Sequence, residues 1–137
     1  MTRVVLDTNV LVSGLLFGGG PGEILGLGKT GELRLTMSRA MLDALLRVLA
    51  YPKFRLSEEE IHYLLYAEVL PHVEIVEVRL GPAVVTADPA DDMFLHCAFK
   101  ARASCIVSGD RHLLRLKSYR RIKIPFPSEF LSRRARS

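Results

Sequence analysis

The 137-residue chain has no tryptophan, four tyrosines, six phenylalanines and two cysteines. Two thiols cannot form a disulfide framework. Cys97 and Cys105 fall on a segment read as a buried helix and on a buried strand, so they read as free core thiols in a reducing compartment. No apolar run reaches the roughly 18 residues that a membrane span needs. The opening MTRVVLDTNV lacks the basic, apolar and small-residue plan of a signal peptide. The expectation is a cytoplasmic chain that makes no use of a membrane. Charge is not scarce, and with 49% hydrophobic and 25% charged residues disorder is excluded. The length suits one domain, 1–137, with a core large enough to need no staples.

Acids are missing from one part of the chain. From Arg111 to Ser137 there are nine Lys/Arg and a single acid, Glu129, whereas the preceding segment has ten Lys/Arg and fourteen acids. A basic C-terminal quarter following an acidic body suits a polyanion gripped beside a metal centre. For residues 133–137 alone, a frayed, solubilising tail is the simpler reading.

Neither an internal repeat nor a long linker divides the sequence. Residues 3–7 read as a short buried strand, 9–17 as an apolar helix ending at Gly18-Gly19-Gly20-Pro21, and 22–29 as another short helix. An extended piece follows around Leu33–Thr36. Ser38 caps a helix to about Ala50, and Ser57 with Glu60 makes a capping box for the next, to about Leu70. Val73–Val78 reads as a strand and 82–87 as a loop. Asp88 and Pro89 start a helix whose inner face is Phe94, Leu95, Ala98 and Phe99. Then come strand 105–107, helix 113–116, strand 122–124 and a last helix over 128–133. Strands alternating with helices predict a three-layer α/β domain with a central, mostly parallel sheet.

The stretch GGGPGEILGLGKT imitates a phosphate-binding loop but fails on spacing, because Glu23 stands five positions before Gly28 where that loop needs glycine. Gly18–Gly22 reads as a turn between two helices. The acids carry more. Asp7 ends the first strand, where the crevice of an open parallel sheet forms, and Ser108-Gly109-Asp110 repeats the arrangement after Cys105-Ile106-Val107. A single such Asp is accounted for as a helix cap. Two, on strands about 4.8 Å apart, are placed to share one hard cation. Asp88, Asp91 and Asp92 gather at a helix start, where the macrodipole favours negative charge. Adjacent Asp91 and Asp92 repel each other, and a cation would relieve that. Asp92 is the better ligand candidate and Asp91 a second.

With VVLDTNVLVSGLLF at the start, VLAYPKF in the middle, DPADDMFLHCA, IVSGD followed by LL, and a closing PSEFL, the chain resembles the PIN-domain family. That family comprises metal-dependent nucleases and includes toxins of toxin–antitoxin pairs. The resemblance covers nearly the whole chain. It implies catalytic, metal-binding acids at Asp7, Asp92 and Asp110, supporting residues at Asn9 and Ser108, and one or two Mg²⁺ or Mn²⁺ ions as cofactor. It further implies an endoribonuclease leaving 5′-phosphate products, a cognate antitoxin as partner, RNA as substrate and a homodimer.

One position departs from the family pattern, Ser-x-x-x-Leu-x-Glu-Leu. In Ser38-Arg-Ala-Met-Leu-Asp-Ala-Leu45, Ala44 stands where the Glu is expected. Asp43 is a poor replacement: it lies roughly 160° around the helix from the apolar face and is spaced to pair with Arg47. The missing carboxylate implies weaker metal affinity and a slow or inactive enzyme, and a substitution introduced deliberately to tame a toxic product fits the same residue. The alternative is a catalytically weakened module that binds RNA or antitoxin.

Arg111, Arg115, Lys117, Arg120 and Arg121 follow the third acidic site in sequence and are candidates for phosphate contacts. His96, four residues after Asp92, and His112, near Asp110, are weaker candidates for supporting roles. Tyr63, Leu64, Leu65 and Tyr66 make one helix apolar on more than one face, which suits either a core position or a partner. A phosphatase using Asp7 as nucleophile is disfavoured, because Asn9 occupies the place where a second acid is wanted.

Overall fold

Three runs of apolar residues form the middle of the sheet. In the computed structural model, residues 2–79 and 89–135 are described; the expected loop over 82–87 and the Asp88 cap lie outside them. Apart from Arg3 and Arg34 at their starts, strands β1 (Arg3–Leu6), β2 (Arg34–Met37) and β4 (Cys105–Val107) carry side chains with almost no solvent exposure on either face. A parallel strand covered on both sides reads this way, as a continuous apolar run. With β3 (Val73–Ile75), β5 (Ser118–Tyr119) and β6 (Ile122–Lys123) they make one sheet in the order β3-β2-β1-β4-β6-β5. All neighbours are parallel except the β5–β6 hairpin. The C-terminal ends of β1, β2, β3, β4 and β6 therefore share one rim.

The helices are α1 (Thr8–Leu16), α2 (Gly19–Lys29), α3 (Arg39–Leu49), α4 (Glu58–Tyr63), α5 (Asp92–Ala101), α6 (Arg111–Leu116) and α7 (Pro127–Ala135). They flank the sheet in a three-layer α/β arrangement; α5 lies on β1, β2 and β4, and α7 on α2. Three caps expected or implied by the sequence are present. Ser38 Oγ accepts from Met41 N–H, the Ser57–Glu60 capping box is complete, and Asp7 caps α1. Cys97 and Cys105 are buried and free. Among the described residues no single helix is long and apolar enough to cross a membrane.

The structure corrects several sequence expectations. The glycine run is no inter-helix loop: α2 begins at Gly19, and Pro21 sits in its first turn, where a missing N–H costs nothing. Only Phe17 and Gly18 separate α1 from α2, which meet at 91°. Gly18 (φ 77°) and Gly19 (φ 63°) make that corner because they enter left-handed backbone without a Cβ clash. Gly28 faces Leu35, where an added Cβ would come within 2.7 Å of its side chain, so it is a close-packing glycine. Strand β3 ends at Ile75 rather than Val78. The helix after Ser57 changes to a π-helical turn over Leu64–Val69, with Leu65 buried while Tyr63 and Tyr66 stay exposed. Of the tail, residues through Ala135 continue α7, and Arg134 reaches Glu32 at 3.5 Å; Arg136 and Ser137 lie outside the described residues. Phe99 is 52% exposed, not part of the inner face of α5, which instead buries Phe94, Leu95, Cys97, Ala98 and Ala101.

Candidate metal centre

Asp7 is the first residue beyond β1, and its own N–H is tied to Val107 C=O across the sheet at 3.1 Å. Continuing the parallel registers past Val4–Leu35 and Leu6–Val107 sets Asp7 between Ser38 and Ser108 on the rim. All three are buried. The sheet thus delivers a carboxylate between two hydroxyl-bearing side chains. Backbone pairing makes the arrangement rigid.

The Asp7 carboxylate is 3% exposed and accepts three hydrogen bonds. Oδ1 accepts from Val10 N–H at 2.8 Å; Oδ2 accepts from Ser108 Oγ–H at 2.5 Å and from Gly109 N–H at 3.2 Å. Burial pushes its pKa above the ordinary 3.8, the bonds from Ser108, Val10 and Gly109 pull it back, and the nearby Asp110 charge adds to the rise. Ser108 is the hinge of the cluster, since its oxygen also accepts from Asp110 N–H at 2.9 Å. Asp110 in turn caps α6, its Oδ1 taking His112 N–H at 2.8 Å and Leu113 N–H at 3.4 Å. Asp7, Ser108 and Asp110, expected from the sequence as site residues, are therefore one bonded cluster.

Asp91 and Asp92 come from the start of α5. Asp91 closes a short 3-10 turn (Pro89–Asp91) and is buried. Asp92 opens α5 and lines a groove of about 590 Å³ with Ser38, Arg39, Met93, His96 and the Ile75–Arg79 segment. Ser38 touches both features, as a rim neighbour of Asp7 and a wall of the groove. Among the described residues, no group of three or more His, Cys, Asp or Glu side chains is close enough to hold a metal ion. The convergence expected of Asp7, Asp92 and Asp110 is thus present only for Asp7 and Asp110. Both commit carboxylate oxygens to backbone N–H groups, which turns them toward the helix starts that they cap.

The donor chemistry nevertheless fits a hard divalent cation. The candidates are all oxygen donors, and the Asp7–Asp110 pair carries the like-charge repulsion that a cation relieves. Asn9, expected in support, is exposed on α1. Ala44 is buried at 6% exposure. Asp43 lies on the solvent side as expected, but its partner is Arg39, at 3.3 Å, rather than Arg47. His96 lines the groove beside Asp92, and His112 turns a buried Nδ1 inward that has no hydrogen-bond partner among the described residues.

The basic residues divide into two sets. Arg111 begins α6 next to the rim, and Arg115 follows one turn later; both are exposed. Lys117 lies further down, its C=O accepting from Ile124 N–H at 3.0 Å. Arg120 and Arg121 form the β5–β6 turn. Continuing the Cys105–Lys123 register sets Arg121 opposite Ala103, about 16 Å down the strand from Ser108. Closeness to Asp110 in sequence did not bring these two arginines to the rim. Ser38 was the rim residue that sequence reading missed as part of the site, having been read only as a cap. Its signal was the parallel register, which places the residue after each central strand on one line.

Fold and site together define an α/β domain whose parallel sheet presents a buried Asp–Ser–Asp cluster at its C-terminal rim. The PIN domain family model matches residues 3–112, and the chain belongs to that family. Among solved structures it is similar to a chain of VapBC2 from Rickettsia felis, determined bound to a DNA fragment from their promoter. The TM-score is 0.59 at 14% identity, covering 91% of this chain and 98% of that one, a likeness of fold. No curated protein matches the sequence.

Proposed function

We propose that the chain is a divalent-ion-dependent endoribonuclease acting as the toxin of a toxin–antitoxin pair. The observation that carries this reading is the buried Asp7 carboxylate, fixed by three donors and electrostatically coupled to Asp110 on the rim of a PIN fold. Asp7, Asp92 and Asp110 would hold Mg²⁺ or Mn²⁺, with Asp91 as a further candidate. When bound, such an ion supplies charge stabilisation at the scissile phosphate and a more acidic water.

The chain's own residues position and exclude. Ser108 and the Val10 and Gly109 N–H groups keep Asp7 in one orientation, and Ser108 links its placement to that of Asp110. The groove beside Asp92 gives a strand of RNA a place next to the acids, with Arg111 and Arg115 near enough to Asp110 in α6 to meet its phosphates. No nucleophilic side chain is needed for this chemistry, since positioning and charge stabilisation carry it. The likeness to a chain of VapBC2, seen on promoter DNA, supports a cognate antitoxin as partner. A homodimer and a cytoplasmic location belong to the same reading.

The test is RNA cleavage in Mn²⁺ or Mg²⁺ by the full chain and by Asp7→Asn, Asp92→Asn and Asp110→Asn. Cleavage that needs the ion and is lost in the Asp7 and Asp110 variants supports the proposal; activity that survives both with chelator present overturns it. The incomplete acid cluster and buried Ala44 favour one second reading, a PIN-fold binding module with little catalysis. Ala44→Glu separates the two, because a large gain in cleavage marks an impaired enzyme and no gain in a folded variant marks the module.

A further inference from the structure

Phe99, Arg120 and Tyr119 form a stack that the catalytic rim does not use. The Arg120 guanidinium carbon lies 4.7 Å from the Phe99 ring centroid and 5.5 Å from that of Tyr119. Phe99 is half exposed, so one aromatic edge of the stack is open to solvent. The turn that holds Arg120 is strained. A two-residue hairpin turn with φ > 0 at both central positions normally uses Asn and Gly, yet Arg120 (φ 48°) and Arg121 (φ 70°) occupy both. Next to it, Arg102 takes the left-handed position after α5 (φ 55°) that glycine usually fills. Three arginines thus sit where smaller residues would carry less strain.

Charge on this part of the surface has one sign. Lys100, Arg102, Arg120, Arg121 and Lys123 are exposed, and among the described residues none has an acidic partner. Between Asp92 and Glu129 the only acid is Asp110, at the other end of the strands. A half-exposed aromatic ring beside guanidinium and ammonium groups without acidic partners offers a flexible nucleic-acid strand a surface for a base and cations for its phosphates.

We propose that the Arg120–Arg121 turn and the C-terminal end of α5 form a docking platform for single-stranded RNA on the sheet edge opposite the carboxylates. A base stacks on Phe99 or Tyr119, while Arg102, Arg121 and Lys100 take the neighbouring phosphates. The platform stands independently of catalysis and does not require the rim to bind a metal.

Binding of a labelled single-stranded RNA oligonucleotide to the full chain, in chelator so that nothing is cut, tests this. Arg102→Gln with Arg121→Gln should weaken binding at low salt and flatten the dependence of log K on log salt by roughly 0.7 for each phosphate left without its arginine. Phe99→Leu should weaken it roughly five- to 150-fold, and Phe99→Tyr should restore it. Unchanged melting temperatures keep the comparison one of binding. The proposal is overturned if the parent chain does not bind, or if affinity and salt slope stay the same in these variants. It is equally overturned if the variants alter only the oligomeric state, which would mark the surface as an interface between copies. Cleavage by the parent chain with RNA binding unchanged in the platform variants refutes the platform alone; platform-dependent binding without cleavage refutes the nuclease alone.

Discussion

Replacing Ser108 with alanine removes one oxygen from the centre of the rim cluster. Ser108 has no solvent exposure, donates to Asp7 Oδ2 and accepts from Asp110 N–H. After the change, Asp7 Oδ2 keeps Gly109 N–H, while Asp110 N–H loses its Ser108 acceptor. A hydrogen bond to a charged group contributes about 1.5–3 kcal/mol, and orphaning the half-buried Asp110 N–H costs about 1 kcal/mol, the low end for a buried donor. The two losses share one network and do not add fully, so the expected loss is about 2–4 kcal/mol. The cost should vary with pH. Asp7 has a raised native pKa, so the folded state holds its proton longer than the unfolded chain does. Stability therefore falls as pH rises from the ordinary 3.8 through the raised value, and levels off above it. The Ser108 bond works against that rise, so deleting it pushes the pKa further up and widens the window. The gap between parent and variant should be smallest at the acid end and full near neutrality. Urea unfolding followed by circular dichroism, in chelator and from about pH 4 to 8, measures this. A loss under about 0.5 kcal/mol, or one that grows toward acid pH, would refute the network as drawn.

The glycines of the first two helices should behave oppositely. Gly14→Ala puts a Cβ 2.7 Å from Leu25 Cδ1 and 2.9 Å from Pro21 C=O, and should cost about 1–3 kcal/mol. Gly26→Ala meets nothing within 4 Å inside α2 and should stabilise by about 0.4–1 kcal/mol; thermal melts of the two variants check both signs. Burial pushes the Cys97 thiol up to about 12 and, against small opposing effects from Ser104 and Arg133, Cys105 up to about 11. Iodoacetamide should therefore leave both unlabelled in the native protein near neutral pH and modify both in denaturant, as mass spectrometry would show. Asp43→Ala removes only an exposed pair with Arg39, so stability should change by less than about 0.5 kcal/mol. A large drop in cleavage by this variant would restore Asp43 as a ligand.

Much of the fold was legible because each central strand is short, apolar throughout and ended by a polar residue. Val4-Val5-Leu6-Asp7 and Cys105-Ile106-Val107-Ser108 are too short for helices and rich in β-branched residues, so they read as strands buried on both faces. The helix starts were legible for a local reason, since Ser38 and Ser57 each bond a backbone N–H three residues away. The glycine run misled because its residues act at a distance: Gly28 is small to admit Leu35, from another element. Phe99 misled in a different way. Its spacing from Leu95 suits the buried face of α5, but the last turn buries Ala98 and Ala101 and the Phe99 ring meets Arg120 instead.

The sequence alone determined which residue types could do chemistry here: aspartates after buried strands, a serine between two of them, and a basic C-terminal quarter. It could do so because strand ends and helix caps are written within a few neighbouring residues. Only the tertiary structure decided which of these meet. Parallel pairing of β1 with β4 joins Asp7 to Ser108 and Gly109 across a hundred residues of chain, while the start of α5 puts Asp92 on the wall of a groove that Ser38 also lines. A hairpin at the chain's basic end carries Arg120 and Arg121 to the opposite edge. Which edge a residue reaches depends on strand direction and register, and backbone pairing between distant segments sets both.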